Sequence, residues 1–183
     1  MAENRHVSLG NSSQKVEAVN YEINGLNYTG IASGKPGQTL IVALHGWLDN
    51  ANSHLPIMAY LPDYRFVSID MPGHGLSAHW SSNLKNYGAN LRTFAEKEAA
   101  VIRRMDEKNA GGAIDREAAE CLVERGLKPV EGGYQWRSDP ALMLPSPNRF
   151  SEAQVLALIA SIRCPTLLIV AEDGGRDLSL DSY

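Results

Sequence analysis

Thr39–Ser77 reads TLIVALHGWLDNANSHLPIMAYLPDYRFVSIDMPGHGLS, and its pattern decides the fold. Thr39–Leu44 is a short run rich in β-formers that stops at His45-Gly46, and Arg65–Ile69 is a second such run that stops at Asp70-Met71-Pro72-Gly73. Between them, Ser53–Leu61 reads as a helix. A strand, a helical connection of roughly 10 residues and another strand form the pattern of a right-handed βαβ crossover in a parallel sheet. In such sheets the loops at the carboxyl ends of the strands carry the site.

At these residues the chain resembles the α/β-hydrolase family, in its serine hydrolase-like branch. His45-Gly46-Trp47-Leu48-Asp49-Asn50 is similar to that family's oxyanion loop, and Asp70-Met71-Pro72-Gly73-His74-Gly75-Leu76-Ser77 to the loop after its next strand. Two such loops at this separation are more specific than either alone. Turns alone would explain the glycines, but not why both follow buried-type strands in this order.

The resemblance implies an α/β fold: a truncated α/β-hydrolase fold whose sheet is mostly parallel, with an N-terminal antiparallel hairpin and a helical lid. The chain has 183 residues, 44% hydrophobic and 21% charged, which allows one core and one domain over 1–183. Within it, 15–80 is read as the N-terminal half of the sheet, 86–150 as lid helices and loop, and 151–183 as a helix plus a late strand. Complete members of the family are longer, so the resemblance implies an incomplete copy.

Upstream, Met1–Gln14 is polar and expected to fray. Lys15–Ile23 alternates apolar with polar residues, Asn24-Gly25 marks a hairpin turn, and Leu26–Ala32 returns. That hairpin at the edge leaves Leu40–Leu44 buried on both faces, as its unbroken apolar run suggests. Downstream, Leu91–Met105 reads as a helix with a stripe of Leu91, Phe94, Ala95, Ala99, Ile102 and Met105. Asp115 is the expected N-cap of a second helix, whose stripe is Ala118, Ala119, Leu122 and Val123 and whose stop is Gly126. Gly126–Pro140 resembles the branch's lid segment, with Tyr134 and Trp136 as anchors and Arg137 and Asp139 close enough to pair. Ser151 and Gln154 form a capping box for a helix Glu152–Ile162, after which Thr166–Val170 reads as a third parallel strand, expected to pair directly with Leu40–Leu44.

Acyl transfer needs a nucleophile on a strained strand-to-helix turn, a histidine base, an acid and two backbone N–H donors for the oxyanion. By resemblance, His45, Gly46 and Trp47 supply the oxyanion and substrate-binding loop, with the Trp47 amide as one donor. Asp173 is the candidate acid by position, and Glu172 is its immediate competitor. The nucleophile is unassigned: no serine stands in G-x-S-x-G. Ser8, in His6-Val7-Ser8-Leu9-Gly10, comes nearest but lies in the polar start, and Ser77 near His79 is already part of a loop. Asp70 reads as fixing the Pro72-Gly73 turn, and His74 as facing the cleft without being a base. The elbow with its serine and the C-terminal histidine loop are the missing parts.

Other classes are disfavoured. A formal charge of −4 gives no basic stripe for nucleic acid. No apolar run reaches the ~20 residues of a membrane span, and the polar start lacks a signal peptide's apolar region, which reads as a cytoplasmic protein. Neither the two cysteines, Cys121 and Cys164, nor the five histidines show metal-ligand spacing, so neither metal nor cofactor is implied. Two functions remain: a serine hydrolase lineage acting on small ester or acyl substrates in its complete form, inactive here, and a non-catalytic α/β module binding a small molecule or partner.

Overall fold

The computed structural model describes residues 5–9, 12–79, 91–106, 113–143 and 150–166. The chain divides into two compact units, Met1–Pro145 and Ser146–Tyr183. Among the described residues no helix is long and apolar enough to cross a membrane.

The first unit is built on a five-stranded sheet of β1 (Arg5–Leu9), β2 (Ser12–Ile23), β3 (Leu26–Ser33), β4 (Thr39–Leu44) and β5 (Tyr64–Ile69), in the order β1-β2-β3-β5-β4. Residues expected to fray therefore begin the sheet, because Arg5–Leu9 finds antiparallel partners in Ser12–Val16. Asn24 and Gly25, at φ 52° and 75°, make the tight turn between β2 and β3. β3 pairs antiparallel with β5, and β5 pairs parallel with β4. Only this last pairing is parallel among the described residues. The third parallel strand expected at Thr166–Val170 lies, beyond Thr166, outside them.

β4 corrects one expectation. Leu40, Val42 and Leu44 are 59%, 53% and 60% exposed, whereas Ile41 and Ala43 pack against the core of Val16, Ile31, Ala51, Met58 and Phe66. The strand is buried on one face only, because among the described residues it is the last of the sheet. The crossover to β5 is also shorter than expected. A 3-10 turn, Ala51–His54, runs into a single helical turn α1, Leu55–Met58. Pro62 follows, and proline disfavours helix at the residue before it.

A second core in the same unit gathers Phe94, Ala100, Val101, Ala119, Val123 and Leu127. Helix α2 covers Lys97–Met105 rather than starting at Leu91. Phe94 is extended instead, exchanging backbone hydrogen bonds of 2.8 Å each way with Tyr134. The buried face of α2 is consequently set by Ala100 and Val101, while Ala99 and Ile102 of the expected stripe are exposed. Helix α3, Arg116–Gly126, matches its sequence signals: Asp115 accepts the Ala118 amide at 2.7 Å, and Ala119, Leu122 and Val123 are buried. It ends at Gly126, where a Cβ would come within 2.8 Å of the Trp136 ring.

The segment expected to be a lid loop is a β-hairpin, β6 (Leu127–Val130) paired with β7 (Gly133–Trp136). Trp136 is half-buried and meets Phe94 edge-on at 6.3 Å. Arg137 does not pair with Asp139; its Nε donates to the Leu127 carbonyl at 2.9 Å. In the second unit, α4 (Glu152–Ala160) begins at the expected capping box, with Ser151 N–H donating to Gln154 Oε1 at 2.8 Å and Gln154 N–H to Ser151 Oγ at 3.4 Å.

Candidate functional site

The loops after β4 and β5 lie side by side because those strands are parallel neighbours in register, Leu44 beside Ile69. His45 and His74 tie them together. His45 Nδ1–H donates to the Gly46 carbonyl at 2.8 Å, and its Nε2 accepts the Met71 amide at 2.9 Å. His74 Nδ1–H donates to the Pro72 carbonyl at 3.1 Å, and its Nε2 accepts the Leu48 amide at 3.2 Å. Both imidazoles are therefore neutral in this arrangement. Burial lowers the His74 pKa, and the neighbouring His45 ring adds to that, against the Pro72 hydrogen bond and Asp70. Both His74 nitrogens are committed to the backbone.

The oxyanion-type loop has its left-handed turn at Leu48, which has φ 63°. A non-glycine residue in the left-handed region is strained, and such strain collects at functional turns. Here the His74 ring holds the Leu48 amide in place. The amide of Trp47 has no hydrogen-bond partner among the described residues, and its indole is 55% exposed.

Asp70 has a larger role than fixing a turn. Fully buried, it accepts from the Ala51 amide at 2.7 Å, the Leu76 amide at 2.8 Å and Thr29 Oγ1 at 2.9 Å. Arg125 of α3 completes the set, its Nη2 and Nε each 2.9 Å from Oδ2. Gly75, at φ 50°, must be glycine here, since a Cβ would sit 2.3 Å from the Asp70 carboxyl carbon. A carboxylate at a strand's end is legible in sequence, but its partner 55 positions away is not.

These contacts bring α3 to the carboxyl ends of β4 and β5. Asn50 Nδ2 donates to the Leu122 carbonyl and Asn52 Nδ2 to the Cys121 carbonyl, each at 3.0 Å. Arg104 of α2 reaches Asp49 at 2.8 Å. Under the helices lies a mostly apolar cavity of about 230 Å³, lined by Trp47, Leu48, Pro56, Ile114, Ala118 and Leu122, with Asn52, Arg104 and Cys121 also in its wall. Burial raises the pKa of the Cys121 thiol, and four acidic neighbours raise it further.

Neither serine raised by the sequence stands on a strand-to-helix turn. Ser8 lies within β1. Ser77 is buried, donating its hydroxyl to the Asp70 carbonyl at 2.7 Å and accepting the Thr29 amide at 2.8 Å. His79 Nδ1 is 3.8 Å from Asp139 Oδ2, a residue 1% exposed. Asp173 and Glu172 lie outside the described residues.

No family model matches the chain. It is 41% identical over 63 residues to a human serine hydrolase-like protein, a match covering 34% of this chain and 30% of that protein. A serine hydrolase-like protein of Dictyostelium discoideum is 38% identical over 217 aligned positions, covering 74% of this chain and 60% of that protein. The chain thus spans less than two thirds of these curated relatives. Among solved structures, a hypothetical protein of Pseudomonas aeruginosa PAO1 superposes with a TM-score of 0.70 at 26% identity, covering 86% of this chain and 80% of that one. An α/β hydrolase of Novosphingobium aromaticivorans shares the fold, with a TM-score of 0.52 at 12% identity over 87% of this chain and 77% of that one.

Proposed function

Because this chain belongs to the serine hydrolase-like branch of the α/β-hydrolase family, we propose that its complete form hydrolyses small ester or related acyl substrates. The chain as it stands keeps the binding half of that machinery and does no acyl transfer. The observation that carries this is the contrast between two groups: the Trp47 amide is free beside a cavity, while the Ser77 hydroxyl is committed at both ends to backbone. Positioning groups without an activated nucleophile form no acyl-enzyme.

The Dictyostelium alignment supports an internal shortening. Its 217 positions exceed the 183 residues of this chain, so it crosses gaps on this side. An elbow falling between His79 and Asn86 in the complete form accounts for both the gap and the missing serine. A fluorophosphonate probe tests the reading, since it labels only an activated serine. We expect no labelling; a stoichiometrically labelled Ser77 or Ser8 would overturn it.

A second reading, a module that binds a small molecule without chemistry, is favoured by the cavity itself. Arg104 and Asp49 pair in its wall, and α3 closes it through Asn50 and Asn52. A wall held by hydrogen bonds serves binding as well as it would catalysis.

A further inference from the structure

One donor in the cavity wall is buried without a partner. Arg104, in the last turn of α2, donates from Nη2 to Asp49 Oδ1 at 2.8 Å, while its Nε is shut off from solvent and has no hydrogen bond. Nε–H and one Nη2–H point along the same edge of the guanidinium, the fork on which a carboxylate seats both its oxygens. Asp49 fills a single prong, because its Oδ2 stands beside Gly46 instead, 3.4 Å from where a Cβ on that residue would be. Buried donors are ordinarily satisfied, and one left open on a charged group is costly. The Asp49 side chain is 30% exposed against 13% for Arg104, so the carboxylate turns out to water more readily than the guanidinium.

Charge decides what takes that edge. A neutral acceptor in place of Asp49 would leave a largely buried guanidinium without a counter-charge, which is strongly unfavourable. A carboxylate exchanges one negative charge for another and fills both prongs. Asp115, Glu117, Glu120 and Glu124, the acidic groups that act on the nearby Cys121 thiol, are all exposed, and salt screens them. Size sets the other limit. A dry apolar cavity of about 150 Å³ accommodates benzene, and drug-sized ligands occupy roughly 300 Å³ or more. At about 230 Å³ the space suits one ring and its carboxylate, with Leu48, Pro56, Ile114 and Leu122 as apolar walls.

We propose that this cavity binds a small apolar monocarboxylate of about one ring's size, its two oxygens taking the Nε and Nη2 prongs of Arg104 in place of Asp49. The inference deepens the binding-module reading and rests on it. It requires no acyl transfer, so it stands or falls separately from the loss of activity.

Benzoate, benzyl alcohol and acetate test it at constant ionic strength on the full chain carrying Cys164→Ser, which leaves Cys121 as the remaining thiol. Two signals are read: the thermal midpoint, which rises when a ligand binds the folded state alone, and the rate at which iodoacetamide alkylates Cys121 in the cavity wall. Benzoate is expected to raise the midpoint and slow the alkylation at about tenfold lower concentration than benzyl alcohol, the ratio a charge-assisted hydrogen bond gives. Acetate, which lacks the ring, should do neither at the concentrations where benzoate acts. Asp49→Asn removes the competing carboxylate and should tighten benzoate binding at least about threefold, since no ion pair then has to break. Arg104→Met should abolish the advantage of benzoate over benzyl alcohol; Arg104→Lys, which keeps the charge without the fork, should reduce it and carries the test should the first variant not fold. Equal potency of benzoate with benzyl alcohol or with acetate, indifference to Arg104→Lys, or weaker binding in Asp49→Asn would each overturn the proposal and leave the cavity a binding site. Protection of Cys121 by none of the three would overturn it together with the binding-module reading. Fluorophosphonate labelling would overturn the inactivity alone.

Discussion

His45 and His74 staple two loops reciprocally: each accepts on Nε2 a backbone amide of the other's loop, Met71 for His45 and Leu48 for His74, with the rings edge-on at 4.9 Å. Neither bond survives protonation of its ring. The residues that look most like catalytic histidines are thus occupied in holding the oxyanion-type loop to its neighbour.

A pH dependence follows. His74 and His54 both have pKa values lowered below 6.5, in each case chiefly by burial. Below the unfolded value the unfolded chain takes up protons that the folded chain refuses, and stability falls where the unfolded state binds more protons and the pH decreases. Their contribution is full above about pH 6.5 and declines as the pH drops from there towards their folded values. Urea midpoints measured from pH 7.5 to 5.5 should decrease, and His74→Gln, which keeps an acceptor but cannot titrate, should flatten part of that slope. An unchanged slope would assign the titration elsewhere.

Asp70→Asn should be among the most damaging single changes. It leaves the largely buried Arg125 guanidinium without its counter-charge, and breaking such a pair costs about 3–5 kcal/mol. Denaturant unfolding of Asp70→Asn, Arg125→Met and the double variant checks this, with the double variant expected to be more stable than Asp70→Asn alone.

Gly126→Ala sets two effects against each other. Alanine gains about 1 kcal/mol of helix propensity over glycine. The new Cβ, however, would stand 2.8 Å from the Trp136 ring and 3.2 Å from Asn50 Nδ2, and overpacking costs roughly 1–3 kcal/mol. A net loss is expected, together with a changed Trp136 fluorescence; a stabilised variant would show that the hairpin yields freely.

The one-sided burial of β4 makes neighbouring residues respond differently. Val42→Thr, on the exposed face, should stay within about 0.5 kcal/mol of the parent, and Ile41→Thr, facing the core, should cost about 1–2 kcal/mol. Equal effects would mean that the outer face is covered in solution.

Activity provides the last test. Hydrolysis of a simple activated ester should be no faster than in Trp47→Pro, which lacks the amide donor. A working oxyanion hole would lose ~10²–10³ in rate on such a change. Clear turnover in the parent, lost in a variant matched by circular dichroism, would mean that a nucleophile has been recruited.

What the sequence determined by itself was whatever depends on neighbours along the chain. The two β-rich runs with their glycine loops, the Asn24-Gly25 turn, the Asp115 cap and the Ser151/Gln154 capping box each involve residues within a few positions, where backbone preference and short hydrogen bonds decide. Tertiary structure decided the rest. Phe94 left a plausible helix because Tyr134 offered it two backbone bonds, and an apolar run in β4 became half-exposed because burial depends on which strands stand beside it. Asp70 became the partner of Arg125, and Asn52 a donor to the Cys121 carbonyl, through contacts spanning more than fifty residues, for which a single sequence has no local signal.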